Sequence, residues 1–174
     1  MFQSRYTQRR TSMTTLALMS TIAALIVGSV NVRGEAVPVP QKKALIGSWV
    51  ETVTFPPEAG RPPLKSLVTF HADETMVCSD QGSITLEPPT VFTACHGVWK
   101  HLQGHTFGYN QVELISDLSG NLLGSLKVRG VYTVSETGNE YAGTSFAEVL
   151  DADGNVLFSA EVTNAGERIQ FDQP

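Results

Sequence analysis

Residues Thr106–Thr163 read TFGYNQVELISDLSGNLLGSLKVRGVYTVSETGNEYAGTSFAEVLDADGNVLFSAEVT. Four runs within it, Thr106 to Ser116, Leu122 to Val134, Glu140 to Leu150 and Val156 to Thr163, are rich in the β-branched and aromatic residues that suit a pleated surface. Between them lie Asp117-Leu-Ser-Gly120-Asn121, Glu136-Thr-Gly138-Asn139 and Asp151-Ala-Asp-Gly154-Asn155. Gly and Asn recur in these breaks because tight hairpins need residues that tolerate positive φ. Every break is too short for a crossover helix, so neighbouring strands must run antiparallel.

The rhythm extends upstream. His96 to Leu102 is a further strand, joined to the next by Gln103-Gly104-His105. Leu45 to Phe55 (LIGSWVETVTF), Leu64 to His71 and Thr75 to Ser79 supply three more, and Arg168 to Phe171 continues the last. Pro56-Pro57-Glu-Ala-Gly60-Arg-Pro62-Pro63 is a loop by its proline content. Gln81 to Thr93 is the least regular stretch, and Pro88-Pro89 forbids a central strand there. It is long for a barrel loop, and loops of that length often serve as lids. Nothing after residue 36 has a helical period. The expected fold class is all-β: an antiparallel up-and-down barrel of about eight strands, whose closure hides the strand edges.

Alternation sorts the faces. On Leu122 to Val134, Lys127 and Arg129 face water, which turns Leu126, Val128, Gly130, Tyr132 and Val134 inward. On the last strand Phe158, Ala160 and Val162 take the inner face. Thr106 to Ser116 is ambiguous: Phe107, Tyr109, Gln111, Glu113 and Ile115 share one face, and Gly108, Asn110, Val112 and Leu114 the other. If the aromatic face points inward, Gln111 and Glu113 become polar groups inside the barrel, an uncommon arrangement for a carboxylate.

The first thirty-odd residues carry an address. Arg5, Arg9 and Arg10 precede the uncharged, mostly apolar run Leu16 to Val30, and Gly34-Glu35-Ala36 follows with small residues at the cleavage positions. This is the pattern of a secretory signal peptide, expected over 1–36, with the barrel domain over 37–174. The alternative is an uncleaved anchor stretched over Ser12 to Val32. Cleavage after Ala36 leaves 138 residues with 8 basic and 16 acidic side chains. That length can bury a real core. The acidity argues against nucleic acid, or an anionic membrane surface, as a partner. Localisation is therefore expected to be secreted or periplasmic. Cys78 and Cys95 both fall in this part, and an even count in an oxidising compartment permits a disulfide, two buried thiols being the alternative.

Gly47-x-Trp49 at the head of the first strand, followed by a meander of roughly eight strands, resembles the lipocalin group of the calycin superfamily. Phe70-His-Ala-Asp73-Glu-Thr75, His96-Gly97-Val98-Trp99, Val128-Arg129-Gly130 and Asp151-Ala-Asp153-Gly154-Asn155 resemble small exported lipocalin-like bacterial proteins. The likeness spans about residues 44–171. It implies a tryptophan, Trp49, at the closed end of the barrel, covered by an arginine from the last strand. Arg168 is the candidate. It also implies an apolar ligand inside. The chain departs from the typical pattern in having no packed C-terminal helix before Pro174, which favours the broader lipocalin-like label.

Candidate constellations are few. His71, His96, His101 and His105 lack ligand spacing and read as surface residues, so no metal site is expected. Asp151-x-Asp153-Gly154-Asn155 begins like a calcium loop, but Val162 holds the position of the bidentate Glu and the flanks are strands, so a hairpin turn is expected. No nucleophile elbow and no cofactor motif occur. The first expectation is a binding module for a small hydrophobic molecule, walled by Phe70, Trp99, Phe107, Tyr109, Leu126, Val128, Tyr132 and Phe158. The second is a small-barrel isomerase or cyclase using Glu113 or Glu51 with Tyr109, Tyr132 or Tyr141. Against it stands the commoner arrangement, in which both glutamates are solvated on the outer face. The third is a secreted interaction or inhibitor barrel acting through Ile84, Leu86, Val91 and Phe92.

Overall fold

The structure is a computed structural model that describes residues 41–81 and 89–171. The expected signal peptide and most of the irregular loop, with Ile84 and Leu86, lie outside the described residues. Nine strands follow one another: β1 (Gly47–Thr54), β2 (Leu64–Phe70), β3 (Thr75–Asp80), β4 (Thr90–Phe92), β5 (Cys95–Gln103), β6 (Thr106–Asp117), β7 (Leu122–Val134), β8 (Glu140–Asp151) and β9 (Val156–Arg168). All pairings are antiparallel. The order β6-β5-β3-β2-β1-β9-β8-β7 returns to β6, so eight strands close an up-and-down barrel. The ninth, β4, pairs with the far end of β6 on the edge that β5 leaves free. It begins directly after Pro89, where the proline restriction ends.

Closure is made by β1 and β9, with Trp49 opposite Arg168 and Thr54 opposite Thr163. The strand β9 runs on through Asn164-Ala-Gly166, a segment whose composition resembles a turn. Two hairpins, β6–β7 and β8–β9, use the same device. Asp117 Oδ1 accepts the backbone N–H of Ser119 and Asn121, and Asp151 Oδ1 accepts those of Asp153 and Asn155. Each second carboxylate oxygen takes the following Asn side chain, and Gly120 and Gly154 supply the positive φ at 85° and 89°. The Asp151 carboxylate is thus occupied by its own turn.

The barrel has one packed end. The short 3-10 turn Gln41–Lys43 brings Ala44 and Leu45 beneath β1, where both are buried. Trp49 Nε1 donates to the Leu45 carbonyl at 2.9 Å. Arg168 lies over the Trp49 ring with its Cζ 4.1 Å from the centroid. Its guanidinium donates to the carbonyls of Ile46 (2.7 Å), Ala44 (2.5 Å) and Gly138 (2.6 Å), tying three segments to the floor. Above it Phe70, Trp99, Phe107, Tyr132 and Tyr141 are buried and meet mostly edge-on.

Cys78 and Cys95 face each other across β3 and β5 and form a disulfide, with their Cα atoms 4.9 Å apart. Such a bond belongs to an oxidising environment. Among the described residues no helix is long and apolar enough to cross a membrane.

Candidate functional site

The face left ambiguous on β6 is settled by burial. Phe107, Tyr109, Glu113 and Ile115 are buried and Gln111 is half-buried, whereas Val112 and Leu114 are exposed. Glu113 is 3 % exposed and Glu51 4 %. The solvated outer position expected for these two glutamates is therefore overturned: both carboxylates stand inside the barrel. The reason lies in the neighbours. Putting Glu51 outside would expel Trp49, two residues away on the same face, and putting Glu113 outside would expel Phe107 and Tyr109.

Three tyrosines step around the interior, each directly opposite a glycine on the next strand: Tyr109 with Gly130, Tyr132 with Gly143 and Tyr141 with Gly166. A Cβ on any of these glycines would meet the ring of its partner tyrosine. The glycines let the phenol rings lie flat along the wall. Tyr109 and Tyr132 stack with centroids 4.5 Å apart, and Tyr132 and Tyr141 follow at 4.4 Å.

The phenol tips reach a polar layer. Tyr141 donates to Glu51 Oε2 at 2.7 Å. Tyr132 and Asn164 also favour the ionised carboxylate, but burial outweighs all three and raises the Glu51 pKa. The hydroxyl of Tyr109 donates to Ser145 Oγ at 2.5 Å, which donates to Asn164 Oδ1 at 2.6 Å. Burial, and the Glu51 charge next, push the Tyr109 and Tyr141 phenols well above their ordinary range. These phenols remain protonated donors.

Two further acids lie above this layer. Burial, with the charge of Asp80 second, pushes Glu113 up to about 8, and its Oε1 has no hydrogen-bond partner. Asp80, on β3 opposite Ser66, is raised by burial, which the Ser66 hydroxyl only partly offsets. The Ser66 Oγ closes no hydrogen bond of full geometry and is itself buried. Around the same level the wall from β7 to β9 is open: Leu126, Val128, Ala147, Val149 and Ala160 face inward yet are only half-buried. At this level the less buried apolar side chains of β7 to β9 share the interior with Asp80, Glu113 and Ser66, and this half of the barrel is called the cup below.

The expected wall residues divide accordingly. Phe70, Trp99, Phe107 and Tyr132 belong to the packed half, and Tyr109 to the polar layer. Leu126 and Val128 face the cup. Phe158 has the inward parity of Val162 but is 56 % exposed, because it lies on the first turn-proximal residues of β9 at the rim. Asp80, Ser66 and Ser145 carried no sequence signal beyond alternation, since each is a small polar residue with the look of a turn or an outer face.

His71 and His96 are exposed, as surface histidines should be, but His101 and His105 are half-buried at the floor end. His101 Nε2 donates to the Gly104 carbonyl at 2.8 Å. Among the described residues no three His, Cys, Asp or Glu side chains converge to hold a metal. Outside the barrel, a shallow groove of about 820 Å³ crosses the outer faces of β5 to β9, with Val98, Leu102 and Val131 exposed in it. Arg129 spans it, over the Phe146 ring at 4.6 Å and paired with Glu148 at 2.5 Å. Comparison with known proteins gives no match to a family model, to a curated protein or to a solved structure.

Proposed function

We propose that this is an exported, lipocalin-like barrel of the calycin type that binds a small, largely apolar molecule in the cup. Residues 1–36 serve as its signal peptide. The observation that carries the reading is the contrast between the two halves of the interior. Leu45, Trp49 and Phe107, at the floor, are 0 % exposed, whereas the apolar side chains of β7 to β9 that face inward nearer the mouth stay half-buried. A core built only for stability fills both ends. Ligand sites instead combine an apolar wall with a few convergent polar groups, which Leu126, Val128, Asp80 and Glu113 supply. Native mass spectrometry of the protein purified from its own host tests this. The expected spectrum carries a discrete extra mass that is lost on denaturation; a bare protein that also takes up no apolar probe contradicts the reading.

A second reading, an isomerase or cyclase acting on an apolar substrate, is favoured by one observation. A carboxyl group with a pKa near 8 and an unpartnered oxygen can give and take a proton near neutral pH. Turnover abolished by Glu113→Gln with substrate binding kept supports it. Unchanged turnover in that variant excludes Glu113 as the acid–base group.

A further inference from the structure

The inside of this barrel is acidic without a counter-charge, and that constrains the molecule it holds. Glu51 on β1, Asp80 on β3 and Glu113 on β6 all point inward, and Asp80 raises the pKa of both glutamates. Other titratable groups facing them are the phenols of Tyr109, Tyr132 and Tyr141 on β6, β7 and β8, all held protonated. Inward positions of β2 and β4, Ser66, Val68, Phe70, Thr90 and Phe92, carry no charge. On β5 and β9 the inward-facing basic side chains are His101 and Arg168, both at the floor, with His105 in the adjoining turn and His96 exposed on the outer face. Lys65, Lys100, Lys127 and Arg129 stand on the outer face. Among the described residues, therefore, no cation answers Asp80 and Glu113.

Glu51 has its own donors, as described above. Glu113 does not: it is 3 % exposed and its Oε1 accepts nothing, while Ser66, also 3 % exposed, leaves its Oγ unpartnered. Buried polar atoms without partners are uncommon and costly, of the order of 1–3 kcal/mol each. Two unpartnered buried oxygens, on Ser66 of β2 and Glu113 of β6, thus stand with the carboxylate of Asp80 on β3 and no cationic donor among the described residues. A carboxylate ligand meets only repulsion there.

We infer that the cup selects an apolar molecule bearing a protonated amine, whose ammonium group sits among Asp80, Glu113 and Ser66 with its hydrocarbon part along Leu126 and Val128. This rests on the binding reading above and narrows it. An ammonium donates three hydrogen bonds, one to each side chain. Its arrival favours the ionised form of Glu113, so binding expels a proton whenever the carboxyl is protonated in the free protein.

Three probes of one chain length separate the cases: 1-octylamine, 1-octanol and octanoate, titrated into the protein by calorimetry. Octylamine is expected to bind at least about tenfold more tightly than octanol, the worth of one charge-assisted hydrogen bond, and octanoate more weakly than either. Octylamine affinity should fall as pH drops from 8 to 6, with proton release seen as a dependence of the heat on buffer ionisation. In Glu113→Gln the ratio of octylamine to octanol affinity should fall towards one and lose its pH dependence. Should that variant fail to fold, the pH series on the unaltered protein decides alone. Equal affinity for octanol and octylamine, unmoved by pH, overturns the amine inference and leaves the binding reading standing. Failure of all three probes to bind overturns both.

Discussion

Gly166 shows how single residues shape this interior. It lies opposite Tyr141 on the neighbouring strand, and a Cβ there would meet the phenol ring. That ring in turn carries the donor to Glu51. Gly166→Ala is expected to cost about 2 kcal/mol through overpacking, a fall of roughly 5 °C in Tm. An unchanged melting temperature would show that the Tyr–Gly pairing has slack. The acids make a prediction of the opposite kind. Glu113 titrates near 8 in the folded chain against 4.5 when solvated, so the folded state holds its proton more tightly. Its contribution to stability is complete below about pH 4.5 and is lost as pH rises through 8, a change on the order of 5 kcal/mol. Asp80 and Glu51, also raised, act in the same sense. The lowered groups, Asp73, Asp117 and Asp151, change only below their ordinary value of 3.8. Urea unfolding is therefore expected to show stability declining from pH 5 to 8, with a shallower decline in Glu113→Gln. Stability rising over that range would mean that Glu113 is ionised at little cost.

At the scale of elements, the strands were legible wherever turn chemistry marked their ends. The hairpins at Asp117–Asn121 and Asp151–Asn155 are spelled out by their Asp, Gly and Asn residues, which close the turns with their own side chains. Where the sequence misleads, a tertiary contact has overridden a local preference. Asn164-Ala-Gly166 has turn-forming residues, yet it continues β9, because Asn164 is held by Ser145 and Gly166 accepts the Tyr141 ring. The short strand β4 (Thr90-Val91-Phe92) has strand-forming residues but follows a proline pair inside an irregular stretch, and only the free edge of β6 gives it a partner. The disulfide joins Cys78 and Cys95, which are direct cross-strand partners on the neighbouring strands β3 and β5. Replacing both cysteines by serine is expected to lower stability by about 3 kcal/mol in the chain-entropy account, read as a lower urea midpoint at unchanged slope. No change in midpoint would mean that the barrel closes as readily without the bond.

For the molecule as a whole, the sequence announces a closed barrel more readily than what lies inside it. Alternation on β7 fixes its inner face because Lys127 and Arg129 mark the outside. On β6 the same logic stalls, since both faces mix apolar and polar residues, and only closure shows that Glu113 shares the interior with Asp80 and Glu51. The aromatic side chains, which look like a ligand's wall, are instead spent on the floor. The cup is lined by smaller residues, Ala147, Ala160, Val128 and Leu126, that carry no distinctive mark in a strand. The outer groove has exposed apolar side chains of its own, so the proposed ligand site inside the barrel has to be distinguished from one outside it. Methyl-resolved NMR during a titration with 1-octanol answers it directly. The account predicts shifts at Leu126, Val128, Ala147 and Ala160 with the methyls of Val98, Leu102 and Val131 unmoved. Shifts confined to Val98, Leu102 and Val131 would place binding on the outside of the barrel and contradict it.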